Sequence, residues 1–224
     1  MLDRGLPISF LITLSATMML SQSKGTVAVS PFPRGPYISL VEQNSIVVNW
    51  TTSSVQSAAV HYGATSHYGL VATDTTLSLT HSLMLTGLRT STLYHYRAIA
   101  GRDTTADYTF HTPVNAGEPF VFAVYGETHT DHVAHVEVVR RMIPYNPRFV
   151  IHTGDLVGGN TIGNWDNYFV DISKATTLAE TTPIFSTVGE RDNGDMYYRI
   201  FSLPKNNPGN TEAYYSFGYG DIHF

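Results

Sequence analysis

The chain has 224 residues, 42% of them hydrophobic and 14% charged, which gives room for one or two packed cores and excludes a disordered chain. A formal net charge of -5 leaves no basic field to hold a phosphate backbone, so no nucleic-acid partner is expected, and a small anion would need a local positive site such as a bound metal pair. With no cysteine, disulfides and thiolate metal sites are excluded, and any metal must rest on oxygen and imidazole.

Arg4 stands ahead of an apolar run from Leu6 to Leu20, with Ser21, Gln22 and Ser23 behind it, so residues 1–23 are read as an export signal cleaved after Ser23. Pro7, Ser9, Thr13, Ser15 and Thr17 dilute a run already shorter than the ~20 residues of a membrane span. No stable span is therefore expected, and the mature protein is expected to be secreted or periplasmic. Residues 24–35 are read as a linker, in which Pro31 and Pro33, with Pro36 just beyond, cannot continue a helix.

Across residues 36–114, short β-rich runs alternate with turn residues: Tyr37 to Val41, Ser45 to Thr51, Ala58 to Tyr62, His81 to Thr86, Leu93 to Ala100 and Tyr108 to His111. The pattern predicts one antiparallel sandwich, with Ile46, Val48 and Trp50 alternating inward on a single strand. His61, His67, His81, His95 and His111 lack metal-ligand spacing and read as structural or surface residues. Asn49-Trp50-Thr51 is a glycosylation sequon placed on a strand.

From Phe120 the pattern changes to strand, helix, strand. Phe120 to Tyr125 is apolar, Val133, Val136, Val139 and Ile143 recur at helical spacing, Asn146-Pro147 ends that helix, and Phe149 to Ile151 starts the next strand. A second helix is predicted from Asn164 to Leu178, with Trp165, Phe169 and Ile172 on one face, followed by a strand from Pro183 to Val188. Such βαβ units build a parallel sheet, and ligand sites lie at the carboxyl ends of its strands.

Each of those ends carries a polar cluster: Gly126-Glu127-Thr128-His129, Gly154-Asp155-Leu156-Val157 and Gly189-Glu190-Arg191-Asp192. Glycine permits the sharp turn, and strands about 4.8 Å apart bring the acids together. Convergent carboxylates repel unless a cation sits between them. The plain alternatives are a solvated loop acid for Glu127, a surface histidine for His129 and a helix cap for Asp155. His132 and His135, in the first turn of the first helix, are expected on its surface.

These clusters resemble the calcineurin-like metallophosphoesterases of the purple acid phosphatase type. The likeness extends to Phe122-Ala123-Val124-Tyr125 before the first cluster, Val150-Ile151-His152-Thr153 before the second, and Asn210-Thr211-Glu212-Ala213-Tyr214-Tyr215-Ser216-Phe217 after the third. Gly35-Pro36-Tyr37, Val48-Asn49-Trp50-Thr51, His61-Tyr62-Gly63 and Thr86-Gly87-Leu88 resemble the fibronectin type III-like domain that precedes such enzymes, with Leu88 and Tyr94 as its tyrosine corner. The implied fold is an all-β fibronectin type III-like sandwich at 36–114, followed at 119–224 by the N-terminal half of an α/β metallophosphoesterase domain of the four-layer sandwich family.

The implied function is that of an exported phosphoesterase in which two metal ions, Fe, Zn or Mn, activate a hydroxide against a small phosphate ester. Position by position, Asp155 matches the carboxylate that bridges both metals, and Glu127 and His129 match the aspartate and histidine of the first motif. Glu190 stands where the family's asparagine ligates the second metal, Arg191 where its catalytic histidine stands, and Asp192 at the acidic end of that motif. Arginine can hold a phosphate oxygen but keeps its proton, so it does not replace histidine as a general acid. Gly158 occupies the position of the purple enzymes' tyrosine ligand, so no coloured iron–phenolate contact is expected. The family's later histidine motifs have no match, and Tyr214 to Phe217 with Asp221 to Phe224 read as a hairpin in which His223 is structural. The chain is therefore expected to be a fragment, weak or inactive as given. The alternative is a non-catalytic relative that binds phosphate, a metal or a partner through the remaining site or the sandwich.

Overall fold

Residues 30–224 are described by the computed structural model, apart from the side chains of 173–175; the expected export signal and most of the linker lie outside the described residues. Strands β1 (Arg34–Glu42), β2 (Ser45–Gly63), β3 (Leu70–Thr86), β4 (Leu93–Ala100), β5 (Asp103–Thr104) and β6 (Tyr108–His111) form one antiparallel six-stranded sheet. Its central path runs β1-β2-β4-β5, with β3 on β2 and β6 on β4. Ile46, Val48 and Trp50 are fully buried, as the alternation predicts, and Tyr94, Tyr96, Ala98 and Ala100 repeat the pattern on β4. The Tyr94 hydroxyl accepts a hydrogen bond from Arg89 N at 3.0 Å.

Two predicted strands merge here. The turn expected between Thr51 and Ala58 is an irregularity inside the single strand β2, where the register against β3 shifts on either side of Gln56. β3 likewise starts at Leu70 rather than His81, because its Thr-rich first half pairs with β2 while both its faces meet solvent, so no apolar alternation marks it. The sequon is sterically closed: Asn49 is buried and its amide donates to Ser39 Oγ at 2.8 Å.

A second, parallel sheet follows, in the order β7 (Ala123–Tyr125), β8 (Val150–His152) and β9 (Ile184–Ser186). Helix α1 (His132–Met142) links β7 to β8, and α2 (Ile162–Ala175) and α3 (Leu178–Thr181) link β8 to β9. Asp131 and Thr161 cap α1 and α2 by accepting from Ala134 N and Asn164 N. Trp165, Phe169 and Ile172 are buried on one face of α2, as predicted. After α4 (Asp195–Ile200) the chain closes in a hairpin of β10 (Gly218–Tyr219) and β11 (Ile222–His223), flanked by Phe217 and Phe224, which exchange both backbone hydrogen bonds. His223 is exposed on this short hairpin.

The face of α1 differs from the expected one. Val133 is 81% exposed, and the inward positions are His135 and Val139. The helix is rotated because His135 finds polar partners behind it, the Tyr125 hydroxyl at 3.3 Å and Asp171 at 3.6 Å. His135 is thus a core residue rather than a surface one, while His132 remains exposed and pairs with Asp171 at 2.6 Å. β7 is also shorter than predicted, starting at Ala123; before it Phe120 packs at a tilt against Tyr219 and Phe122 stacks on Phe149.

The two sheets share one interior. Phe149, at the start of β8, meets Phe120, Phe122, Phe185, Phe217, Tyr219 and Phe224, and the same cluster continues into Tyr94, Tyr96 and Phe110 of the antiparallel sheet. Tyr37 packs on Phe169 at 4.3 Å and donates to Ile200 O at 2.6 Å, and Tyr96 donates to Glu180 O at 2.7 Å. Arg34 is buried beside them, lying over the Phe169 ring and holding Asp166 Oδ1 at 2.6 Å. Arg34→Ala should cost about 1–3 kcal/mol, from the lost hydrogen bonds and the lost packing of its stem, read as a lower urea midpoint at unchanged m-value. Among the described residues, no helix is long and apolar enough to cross a membrane.

Candidate metal centre

Parallel pairing sets the three strand ends level: Tyr125 lies opposite His152, and His152 opposite Ser186. The loops leaving them are tied together by backbone hydrogen bonds from Glu127 N to Gly154 O (3.2 Å) and from His129 N to Asp155 O (3.3 Å). Such close approach leaves little room for a side chain, and at Gly189, where backbone is in the way, it needs glycine. A Cβ on Gly126 would stand 2.0 Å from Thr153 Oγ1, and one on Gly189 2.2 Å from both N and Oδ1 of Asp155.

Within this frame Glu127, His129 and Asp155 converge, with one ligand atom from each lying within 4.8 Å of the others. His129 Nε2 is 3.1 Å from Glu127 Oε2 and 3.2 Å from Asp155 Oδ2. Ligand atoms about 2.0–2.2 Å from a common ion stand roughly 3–3.5 Å apart, so the spacing and the donor set of two carboxylates and one imidazole both fit a divalent metal. All three residues have positive φ, +57° at Glu127, +42° at His129 and +51° at Asp155. Non-glycine residues seldom adopt that left-handed region, and three of the eight that do so among the described residues fall within this one cluster.

Asp155 Oδ1 accepts from Arg191 N at 2.9 Å, and that backbone hydrogen bond, helped by His129, holds the carboxyl below its usual range. The other positions of the third cluster are arranged differently. Glu190 and Arg191 are exposed, and Glu190 stands outside the converging group; Arg191 reaches Asp155 through its backbone. Asp192 is fully buried, accepting from Leu156 N at 2.7 Å and from Gly189 N, so it fastens the second loop to the third. Burial raises its carboxyl despite those bonds. At Gly158 a side chain would first have to displace the Thr130 methyl, 2.4 Å from the Cβ position.

Behind the cluster lies a polar layer that sequence reasoning missed. His152 Nδ1 accepts from Gly154 N at 3.3 Å, which leaves the proton on Nε2 facing the Thr128 hydroxyl at 3.3 Å; that hydroxyl donates to Leu156 O at 2.7 Å. One neutral imidazole thus fixes the first loop to the second. Burial, with a smaller push from His135, lowers the His152 pKa to about 3. Burial likewise lowers that of His135 to about 4, against the opposing pull of Asp171. The available signal was a histidine interrupting an apolar strand immediately before Thr153-Gly154-Asp155.

No protein-family model matches the sequence, and no curated protein matches it either. Solved structures do match in fold. The purple acid phosphatase PPD1 from yellow lupin (Lupinus luteus) seeds superposes with a TM-score of 0.67 at 16% identity, covering 84% of this chain and 43% of that one. The structure of PhoD gives 0.64 at 14% identity, covering 85% and 50%. The chain thus has the fold of part of a metallophosphoesterase-type structure and spans half or less of the length of either.

Proposed function

We propose that this chain carries the first part of the active site of an exported, metal-dependent phosphoesterase, with a fibronectin type III-like sheet docked in front of it. The observation that carries the reading is the meeting of Glu127, His129 and Asp155 at the carboxyl ends of parallel strands, in a fold shared with a phosphatase. Asp155, whose carboxyl the Arg191 N–H holds below its usual range, would be the carboxylate shared between ions, and Glu127 and His129 would supply this chain's further ligands to the first of them. Glu190, exposed at the rim, is the residue available to a second ion. When bound, a metal pair of this kind supplies a water of lowered pKa and a Lewis-acid contact for phosphate oxygens. Arg191, also at the rim, offers its guanidinium to a phosphate oxygen, and Asp192 positions both loops without touching substrate.

The test is direct. Stripped of metal and titrated with Mn2+ or Zn2+ in a calorimeter, the chain should bind a stoichiometric ion and then hydrolyse p-nitrophenyl phosphate faster than the metal-free protein. Absence of ion binding would remove the basis for the proposal. Ion binding without turnover would favour the second reading, a non-catalytic metal-binding relative, which the position of Glu190 outside the cluster and the fixed proton of Arg191 support.

A further inference from the structure

At the opposite, amino-terminal end of the parallel strands, a cavity of about 210 Å³ lies where the antiparallel sheet meets the helical half. Thr109 and His111 of β6 form one wall, Asn146 and Arg148 of the turn into β8 a second, and Thr181 and Thr182 at the end of α3 a third. All six side chains carry a hydrogen-bond donor, that of Thr181 being already given to Thr177 O at 2.8 Å; Leu93 and Pro147 complete the lining, and among the described residues no aspartate or glutamate lines the space.

Arg148 makes the imbalance acute. Its Nη1 is buried without any acceptor, and no ion pair of Arg148 is found among the described residues, in a chain whose net charge is -5. The Tyr219 hydroxyl is buried and unpartnered as well; burial raises its pKa to about 12 against a smaller opposing pull from the nearby Arg148 charge. His111 adds no second charge at neutral pH, because burial and Arg148 both lower its pKa, but its ring nitrogens remain available. A guanidinium donates through five N–H groups and accepts through none, so its complement is a ligand made of acceptors that also carries negative charge. Water would fill the space but would leave the charge of the half-buried Arg148 uncompensated at its buried Nη1. At about 30 Å³ per water molecule the cavity has room for several waters, and hence for one tetrahedral oxyanion.

We propose that this cavity binds a tetrahedral oxyanion, inorganic phosphate or sulfate, held by Arg148 and the surrounding hydroxyls and bridging the two halves of the molecule. The assignment is independent of the metal cluster, which stands at the other ends of the same strands. Because the walls come from both sheets, the anion binds the docked fold and not the unfolded chain, and so raises stability as its concentration rises.

The experiment uses metal-stripped wild-type protein, so that no phosphate is held through an ion, at constant ionic strength set with chloride. Phosphate and sulfate should each raise the thermal midpoint saturably and chloride should not, while calorimetry with inorganic phosphate shows a single site. Arg148→Gln should weaken that site at least tenfold, and Thr109→Val, at a half-exposed strand position, should weaken it by a smaller factor. Response to phosphate but not sulfate identifies a phosphoryl-specific site within the same proposal. The proposal is overturned if the wild type shows no saturable response, or if Arg148→Gln retains full affinity. Should Arg148→Gln fail to fold, full affinity in Thr109→Val overturns it instead.

Discussion

Asp155→Asn should lower the affinity for Mn2+ or Zn2+ by at least about 100-fold, beyond what removing a supporting residue behind a ligand typically costs, and should abolish any phosphate-ester hydrolysis with it. The amide is isosteric and its Oδ1 still accepts the Arg191 N–H, so the third loop stays in place and the change isolates the charge. That charge is what His129 faces at 3.2 Å and what an ion bound between them would face. Glu127→Gln should cost less, because Glu127 sits in open solvent and a water can take its place on an ion. Calorimetric titration of both variants, with circular dichroism to show that each is folded, provides the comparison. Equal affinity in Asp155→Asn and wild type would mean that the ion binds elsewhere.

The second large effect is on stability below neutral pH. His152 and His135 are held neutral in the folded protein, with pKa lowered from 6.5 to about 3 and about 4 respectively, chiefly by burial. In the unfolded chain both regain an ordinary value, so below about pH 6.5 the unfolded state takes up protons that the folded state refuses, and stability falls as pH falls towards the folded values. At pH 5 the loss is about 2 kcal/mol for each histidine, together a large share of the 5–15 kcal/mol typical of a domain. The urea midpoint should therefore drop markedly between pH 7 and pH 5, and His152→Gln should flatten the dependence even if it lowers stability at pH 7. A pH-independent midpoint over that range would show that neither imidazole is held neutral.

How much of this was legible beforehand depended on the distance over which each feature is decided. The strand β4 and the inward residues of β2 follow from local alternation, and the inner face of α2 from its aromatic spacing. The three polar clusters were visible because glycine must precede the acid where strand ends crowd together, as the 2.2 Å approach at Gly189 demonstrates. The orientation of α1 was not visible. Counting valines placed Val133 inward, whereas Asp171, 36 residues further along, draws His135 in instead. Composition offered no positive site apart from bound metal, yet the cation of Arg148 lines a cavity together with His111 and Thr182, from segments whose meeting no local pattern records.

The aromatic seam around Phe149 has a bearing on how this molecule melts and how it can be divided. The cluster that holds this ring also takes in Phe32 and Ile38 near one end of the described chain and Phe224 at the other, and leaves no plane along which the front sheet can be lifted away dry. Heating should accordingly give one calorimetric peak rather than two, and scission near residue 117 should yield sticky halves in place of a free-standing module. In that sense the β-rich front is a wall of the phosphoesterase-like half, built in one piece with it.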